Sequence, residues 1–185
     1  MSIHRIDLAG DAPVITPIVD REGVIAASPA VSPDGNLIAY QSNESGQLEV
    51  YVERFPGGGD KRLISIGSDR GWGPAWSPGT QPLELYFRRA EDGAMMAVAL
   101  EDAATLRFGT PELLFAGDRF PGFLLGIYPG LERDWDIAHD GRFLMAAWAD
   151  EMLDDTAAET AADDPVIVIL QNLFRDGVPA RVTSP

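Results

Sequence analysis

A repeated segment is the feature that most constrains the fold of this chain. The segment Pro29-Ala30-Val31-Ser32-Pro33 returns as Pro74-Ala75-Trp76-Ser77-Pro78, at an offset of 45 residues (74 − 29). Each copy opens a series of short apolar runs separated by turns that contain Gly, Asn or Pro, which is the pattern of consecutive β-strands. A third, altered copy begins at Asp136. The chain is therefore predicted to be a β-repeat protein.

The spacing and strand count of the repeat predict its architecture. Residues 28–66 contain four predicted strands, and the first two are joined by Asp34-Gly35, a dipeptide that favours tight hairpins. A period in the forties with four strands per unit is typical of a β-propeller blade. We therefore predict one all-β domain over residues 1–185, a β-propeller or partial propeller of about three to four antiparallel, four-stranded blades. The blades are expected at residues 28–66, 74–115 and 135–185, and residues 1–20 are expected to supply outer strands of a neighbouring blade.

Two strands of the first copy are expected to differ in exposure. The strand Leu37 to Ser42 is apolar on both faces, which predicts that it is covered from two sides. The strand Leu48 to Phe55 alternates, with Glu49, Tyr51 and Glu53 on one face. We expect that polar face to lie nearer to solvent.

The number of predicted strands raises the question of closure. The chain holds roughly three and a half blades, fewer than the four to eight in which propellers close. An unclosed set would expose an edge and a face at each end. Three alternatives stay open: a longer parent protein, two copies that complete one ring, or one blade shared by the N-terminal and C-terminal strands. We expect closure within the chain or self-association into a homo-oligomer.

Composition narrows the classes of partner and compartment. The formal net charge of −15 disfavours nucleic acid and anionic membranes as partners. The sequence as written shows neither a signal peptide nor an apolar run of the roughly 18 residues that span a membrane. It is thus expected to be soluble and cytoplasmic, although the compartment is otherwise unknown. The acidic stretch 150–164 lacks the calcium-loop spacing and is interpreted as a solvated loop.

Catalytic signatures are absent from the sequence. The chain has no Cys and two His, His4 and His139, and it has no G-x-S-x-G motif. His139 occupies the position of a turn proline in the first copy, which favours a turn role. Gly57 to Lys61 lacks the spacing of a phosphate-binding loop and is interpreted as a hairpin turn. We expect no enzyme activity, no cofactor and no metal site.

The remaining candidate is a binding surface. Two segments that precede innermost strands of successive blades carry charged residues and Trp, the first with Asp69, Arg70 and Trp72, the second with Arg133, Asp134 and Trp135. In a propeller these positions line one mouth of the central channel, and Trp and Arg often anchor interfaces. The structural alternative is that each Trp packs between blades and each Arg pairs with its neighbouring Asp.

Residues 32–55 carry a resemblance to a known family. They read SPDGNLIAYQSNESGQLEVYVERF, which resembles the WD40-like (PD40) repeats of TolB-like β-propellers. The match is closest to the C-terminal part of the propeller that follows some bacterial serine/threonine protein kinase domains, and PAWSP at 74–78, LYFRR at 85–89 and WDIAHDGRFLM at 135–145 fit in the same order. The full Ser-Pro-Asp-Gly motif occurs once, and Glu132-Arg133-Asp134 lacks the His of a kinase catalytic loop. The resemblance implies an accessory module.

Two functions follow as hypotheses. The favoured one is a non-catalytic module that binds a protein or peptide, or acts as a scaffold. The alternative is a sensor or gating propeller that binds a small ligand for a kinase or hydrolase catalytic domain on a longer chain. Coding sequence for such a domain, upstream or downstream, would favour the alternative.

Overall fold

The computed structural model describes residues 1–67, 70–79, 82–116 and 133–148, and three strands at 165–170, 174–175 and 178–179. Every regular element in these ranges is a β-strand, and every strand pair is antiparallel. The prediction of an all-β antiparallel fold is confirmed. None of the described residues forms a helix long and apolar enough to cross a membrane.

The first part of the chain forms a hairpin and a four-stranded sheet. Strands β1 (Ile3–Asp7) and β2 (Val14–Val19) pair with each other. Sheet 1 follows in sequential order, with β3 (Ala26–Val31), β4 (Leu37–Ser42), β5 (Glu49–Arg54) and β6 (Lys61–Leu63). Each strand therefore pairs with the one before it, as in an up-and-down meander.

Sheet 2 repeats this order with a divided last strand. It contains β7 (Gly71–Trp76), β8 (Glu84–Arg89) and β9 (Met95–Asp102). The free edge of β9 pairs with β10 (Arg107–Phe108) at one end and with β11 (Glu112–Phe115) at the other. The fourth strand of the blade predicted at residues 74–115 is thus divided into β10 and β11, which the sequence did not predict.

Sheet 3 contains the third copy of the repeat. Its described strands are β12 (Trp135–Ile137), β13 (Phe143–Trp148) and β14 (Pro165–Leu170), again in sequential order. Strands β15 (Phe174–Arg175) and β16 (Val178–Pro179) pair with each other. The acidic stretch 150–164 and the last residues of the predicted third blade, 180–185, lie outside the described residues.

The hairpin and the three sheets stack face to face, with an apolar layer at each junction. Ile3 and Val19 of the hairpin pack on Ile38 and Tyr40 of sheet 1. The layer between sheets 1 and 2 contains Leu37, Ala39, Val50, Val52, Leu85, Phe87, Met96 and Val98. The layer between sheets 2 and 3 contains Ala75, Tyr86, Met95, Trp135, Phe143 and Met145. Sheets 1 and 2 are thus covered on both faces.

The central strands show why this stack forms. In β4, Ile38 and Tyr40 face the hairpin while Leu37 and Ala39 face sheet 2, and all of them are buried. Since successive strand residues point to opposite faces, a strand with apolar residues on both faces needs a layer on each side. The prediction that residues 37–42 are covered from two sides is confirmed.

The expected exposure of the β5 polar face is wrong. Glu49, Tyr51 and Glu53 are all buried. Tyr51 stacks on Tyr40, with ring centroids 6.0 Å apart, in the layer that the hairpin covers. Burial is the main cause that raises the pKa of Glu49 and of Glu53. The hydroxyl of Ser65 donates to the Glu49 carboxylate.

The repeat extends to the conformation of single residues. Ser28 and Gly73 lie 45 positions apart (73 − 28), and both adopt left-handed conformations, with φ of 50° and 60°. Each lies where the register of the first strand shifts, between Ala27 and Ala30 in β3 and between Trp72 and Ala75 in β7. The first two copies therefore share a β-bulge as well as a sequence motif.

Candidate functional site

The two predicted Trp segments meet at Gly73, at the junction of sheets 2 and 3. Strand β7, which carries Trp72 and Gly73, lies next to β12. A Cβ added to Gly73 would lie 3.4 Å from Arg133 Cγ and 3.4 Å from Trp135 Nε1. The absence of a side chain at Gly73 thus allows β7 and the segment before β12 to approach closely. Trp72, Arg133 and Trp135 belong to one neighbourhood.

Trp72 is buried against a buried cation. The guanidinium carbon of Arg88 lies 5.4 Å from the centroid of the Trp72 ring, in cation–π geometry. Burial lowers the pKa of Arg88, and the charge of Asp134 opposes that shift. Burial raises the pKa of Asp134, and Arg88 opposes that shift in turn. Arg88 and Asp134 therefore stabilise each other's charged forms across the junction of sheets 2 and 3.

Trp135 is buried in the layer between those sheets. Its ring lies 5.6 Å from the ring of Phe143, and the Arg133 guanidinium lies 5.7 Å from its centroid. Arg133 Nη2 donates to Asp136 Oδ1 at 3.2 Å, so it pairs with Asp136 rather than with its immediate neighbour Asp134. Trp135 thus packs between sheets and Trp72 is buried, which leaves the Arg133–Asp136 pair as the exposed part of this neighbourhood.

Arg70, another predicted site residue, does not join this group. Arg70 Nη1 donates to Gln47 Oε1 at 3.4 Å, so its side chain turns toward sheet 1. Its charge also lowers the pKa of Glu49, against the larger effect of burial. Asp69 lies outside the described residues. The sequence therefore grouped residues that the structure divides between two sides of β7.

A second candidate surface lies on the N-terminal hairpin. Three large apolar side chains on its outward face are exposed: Ile6 at 58%, Leu8 at 73% and Ile15 at 64%. Ile6 and Ile15 are direct cross-strand partners. We call these three residues the hairpin surface. The hairpin therefore carries apolar side chains outward as well as inward, where Ile3 and Val19 pack on sheet 1.

A β-bulge explains how the hairpin presents two apolar faces. Ile3 pairs with Val19 and His4 pairs with Pro17, so Ile18 is an extra residue in β2. The bulge changes the alternation within β2, which lets Val19 face sheet 1 although Ile15 faces outward. Pro17 also removes a backbone donor from β2, and proline is a common means of blocking strand addition at a sheet edge. The face of the hairpin is thus better suited to docking than its β2 edge.

A charged cluster anchors the hairpin to sheet 1. Glu44 Oε2 accepts from Arg21 Nη1 at 2.8 Å and from Lys61 Nζ at 2.5 Å. Arg21 follows the hairpin, Glu44 lies in the turn after β4, and Lys61 begins β6. Lys61 Nζ also lies 5.3 Å from the centroid of the Tyr51 ring. These contacts fix the loop after β2 over the buried face of β5.

The sequence held a signal for the hairpin surface. In the run Ile3 to Leu8, the apolar residues at 6 and 8 share one face under strict alternation, while Ile3 belongs to the other. An amphipathic strand would have placed all three together. An interpretation of this run as simple apolar–polar alternation predicts one apolar face and misses the second.

No protein-family model matches this chain, and no curated protein sequence matches it significantly. Its function is therefore inferred from the surfaces that the structure describes. Within the described ranges, no group of three or more His, Asp or Glu side chains is arranged to hold a metal ion. His139 lies in an exposed turn between β12 and β13, at the turn position that the sequence predicted.

Proposed function

We propose that this chain is a non-catalytic, protein-binding module and that a partner protein docks on the hairpin surface. The observation that carries the proposal is the clustering of Ile6, Leu8 and Ile15, each more than half exposed, on one face of a two-stranded element. Apolar patches of this kind on soluble proteins commonly mark interaction sites, because leaving them in water is unfavourable. Clustering matters here, since single exposed apolar residues are ordinary.

We also propose that the three sheets are blades of a β-propeller. Three features support this interpretation: each sheet is a sequential meander, the sheets stack face to face, and their first strands adjoin. Strand β7 contacts β3 on one side and β12 on the other. First strands that adjoin in this way are what a radial arrangement around a central axis requires. On this interpretation the hairpin is part of the blade that precedes sheet 1.

Site-specific photo-crosslinking tests the protein-binding proposal. A photoreactive amino acid replaces Ile15 in the full chain, expressed in cells of its own organism, and a matched control replaces Glu22, an exposed polar residue just after the hairpin. We expect discrete protein adducts from position 15 and none from position 22. Absence of adducts at position 15, or the same adducts from both positions, would overturn the proposal.

The identity of the adducts also separates the two functional hypotheses. An adduct with a protein that has no catalytic domain supports a scaffold. An adduct with a kinase or hydrolase domain supports the sensor or gating alternative. Mass spectrometry of the crosslinked peptide identifies which of these partners has bound.

A further inference from the structure

The repeat allows the faces of the three sheets to be compared position by position. Ala39, Tyr86 and Leu144 are equivalent residues of the central strands, because they pair with the aligned positions Ala30, Ala75 and Asp136. Ala39 is 0% exposed under sheet 2, and Tyr86 is 1% exposed under sheet 3. Leu144 is 40% exposed. The face of sheet 3 that carries Leu144 is thus equivalent to the faces of sheets 1 and 2 that pack against the next sheet.

On the opposite face of each sheet, equivalent residues pack on the preceding element of the stack. Ile38, Leu85 and Phe143 are also equivalent, and each packs on the element before its own sheet: the hairpin, sheet 1 and sheet 2. The hairpin is the first element of the described stack, and its outward face, with Ile6 and Ile15, corresponds to the face that a preceding sheet would cover. Among the described residues, the stack therefore has two uncovered faces, and they are the two complementary halves of one repeated interface.

We propose that a second copy of this chain covers both ends. Sheet 3 of one copy packs through Leu144 on the hairpin surface of the other, and the second copy does the same in return. Two such contacts form a closed dimer with two-fold symmetry, which uses every uncovered face and stops further growth. This inference rests on the proposed protein-binding function and names its partner.

The exposure of both apolar faces in a single chain supports association between two copies. Ile6, Ile15 and Leu144 are exposed together in a single chain, so its own sheet 3 leaves its hairpin surface uncovered. Each copy also carries a net charge of −15, which makes two copies repel at long range. Salt screens that repulsion over a Debye length of about 8 Å at physiological ionic strength. The dimer is therefore expected to tighten as salt is added, unlike one held by ion pairs.

Sedimentation equilibrium on the full chain and three variants tests this dimer. Ile15→Asp and Leu144→Asp each place a charge on one of the two faces. Ile66→Asp is the matched control, since Ile66 is 62% exposed and belongs to neither face. We expect the wild type and the control to dimerise. For Ile15→Asp and Leu144→Asp we expect the dimer Kd to rise by about 100-fold or more, because each substitution buries an unpaired charge in the interface. Circular dichroism confirms that each variant is folded, and Leu144→Ala serves as a milder replacement if Leu144→Asp is not.

Mixing the two face variants gives the decisive measurement. In the mixture, sheet 3 of Ile15→Asp can still pack on the hairpin of Leu144→Asp, which restores one intact contact in a mixed dimer. We expect the mixture to dimerise more tightly than either variant alone. A wild type that is monomeric at micromolar concentration, or a mixture that stays monomeric, would overturn the proposed pairing. Neither result decides whether position 15 crosslinks to a different protein, so the two proposals fail separately.

Discussion

Gly71 is the position where a single added carbon should damage this fold most directly. It begins β7, pairs with Arg89 of β8 and is buried. A Cβ at Gly71 would lie 2.4 Å from Cδ2 of Phe87 and 3.2 Å from the backbone oxygen of Arg88. Gly71→Ala is therefore predicted to destabilise the junction of sheets 1 and 2, where Phe87 packs.

The size of the effect follows from these distances. Carbon atoms in favourable contact lie about 3.5–4.0 Å apart, so the Phe87 ring would have to move by roughly 1 Å or more. Phe87 is 0% exposed and the second contact is with backbone, so neither neighbour can move freely. Overpacking of this kind costs about 1–3 kcal/mol. For a chain of 185 residues, each kcal/mol shifts Tm by about 2–4 °C, which gives a fall of roughly 2–12 °C.

Thermal unfolding followed by circular dichroism, with urea unfolding followed by Trp fluorescence, measures this loss. Gly57→Ala is the matched control, because an added Cβ there meets no atom within 4 Å. Removing glycine flexibility at a compatible position stabilises by about 0.4–1 kcal/mol, so the control should melt at or slightly above the wild-type temperature. A Gly71→Ala protein that melts with the control would refute the steric reasoning. Recovery of Tm when Phe87→Leu is added would support it, because the smaller side chain relieves the contact.

Three further perturbations have predicted outcomes. Phe143→Ala should cost about 3–5 kcal/mol in urea unfolding, because Phe143 is fully buried against three aromatic rings, and a loss below 1 kcal/mol would contradict this packing. Glu44→Gln should cost about 1–3 kcal/mol, since it removes the largely buried negative charge that pairs with two cations. The loss should shrink in 1 M salt, and an unchanged loss would exclude charge as its cause. Burial raises the folded-state pKa of Glu49 above its ordinary 4.5, so the folded state binds that proton more tightly than the unfolded state does. The free energy of unfolding therefore falls as pH rises from 4.5 through the raised pKa. Glu49→Gln cannot titrate, so its stability relative to wild type should increase over that interval in urea titrations at stepped pH, and a constant difference would count against the assignment.

The local part of the fold could be predicted from the sequence. The apolar runs at 14–19, 37–42 and 112–115 each predict a strand, and these bounds agree with those of β2, β4 and β11. Each of these strands combines an apolar run with Gly, Pro or Asp residues at its ends, so its limits depend on nearby residues alone. The turn at His139 was predictable for the same reason, because Asp140-Gly141 completes it.

Burial that depends on distant residues could not be predicted in the same way. The alternation of β5 is the pattern of a half-exposed strand, yet Glu49 and Glu53 are buried. The elements that cover this face include the hairpin, whose Ile3 lies nearly fifty residues earlier in the chain. A period-2 pattern shows which residues share a face, but it does not show what will pack on that face. The divided fourth strand of sheet 2 has the same origin, since β10 and β11 are each defined by their pairing with β9.

The Trp segments illustrate a more general ambiguity in repeat proteins. Trp and Arg anchor interfaces between chains because they bury a large area and carry a polar group, and the same properties suit them to the junction between two sheets of one chain. Trp135 packs in such a junction, and Trp72 is buried against Arg88 of the adjacent strand. Residue type therefore cannot separate the two roles, but equivalence between copies can. Ala39 and Tyr86 are buried in sheets 1 and 2, whereas the equivalent Leu144 of sheet 3 is exposed. Because the next sheet covers the first two positions, the repeat indicates that Leu144 lies on a face suited to packing against a further sheet. The two ends of the stack are therefore better candidates for a binding surface than the Trp segments.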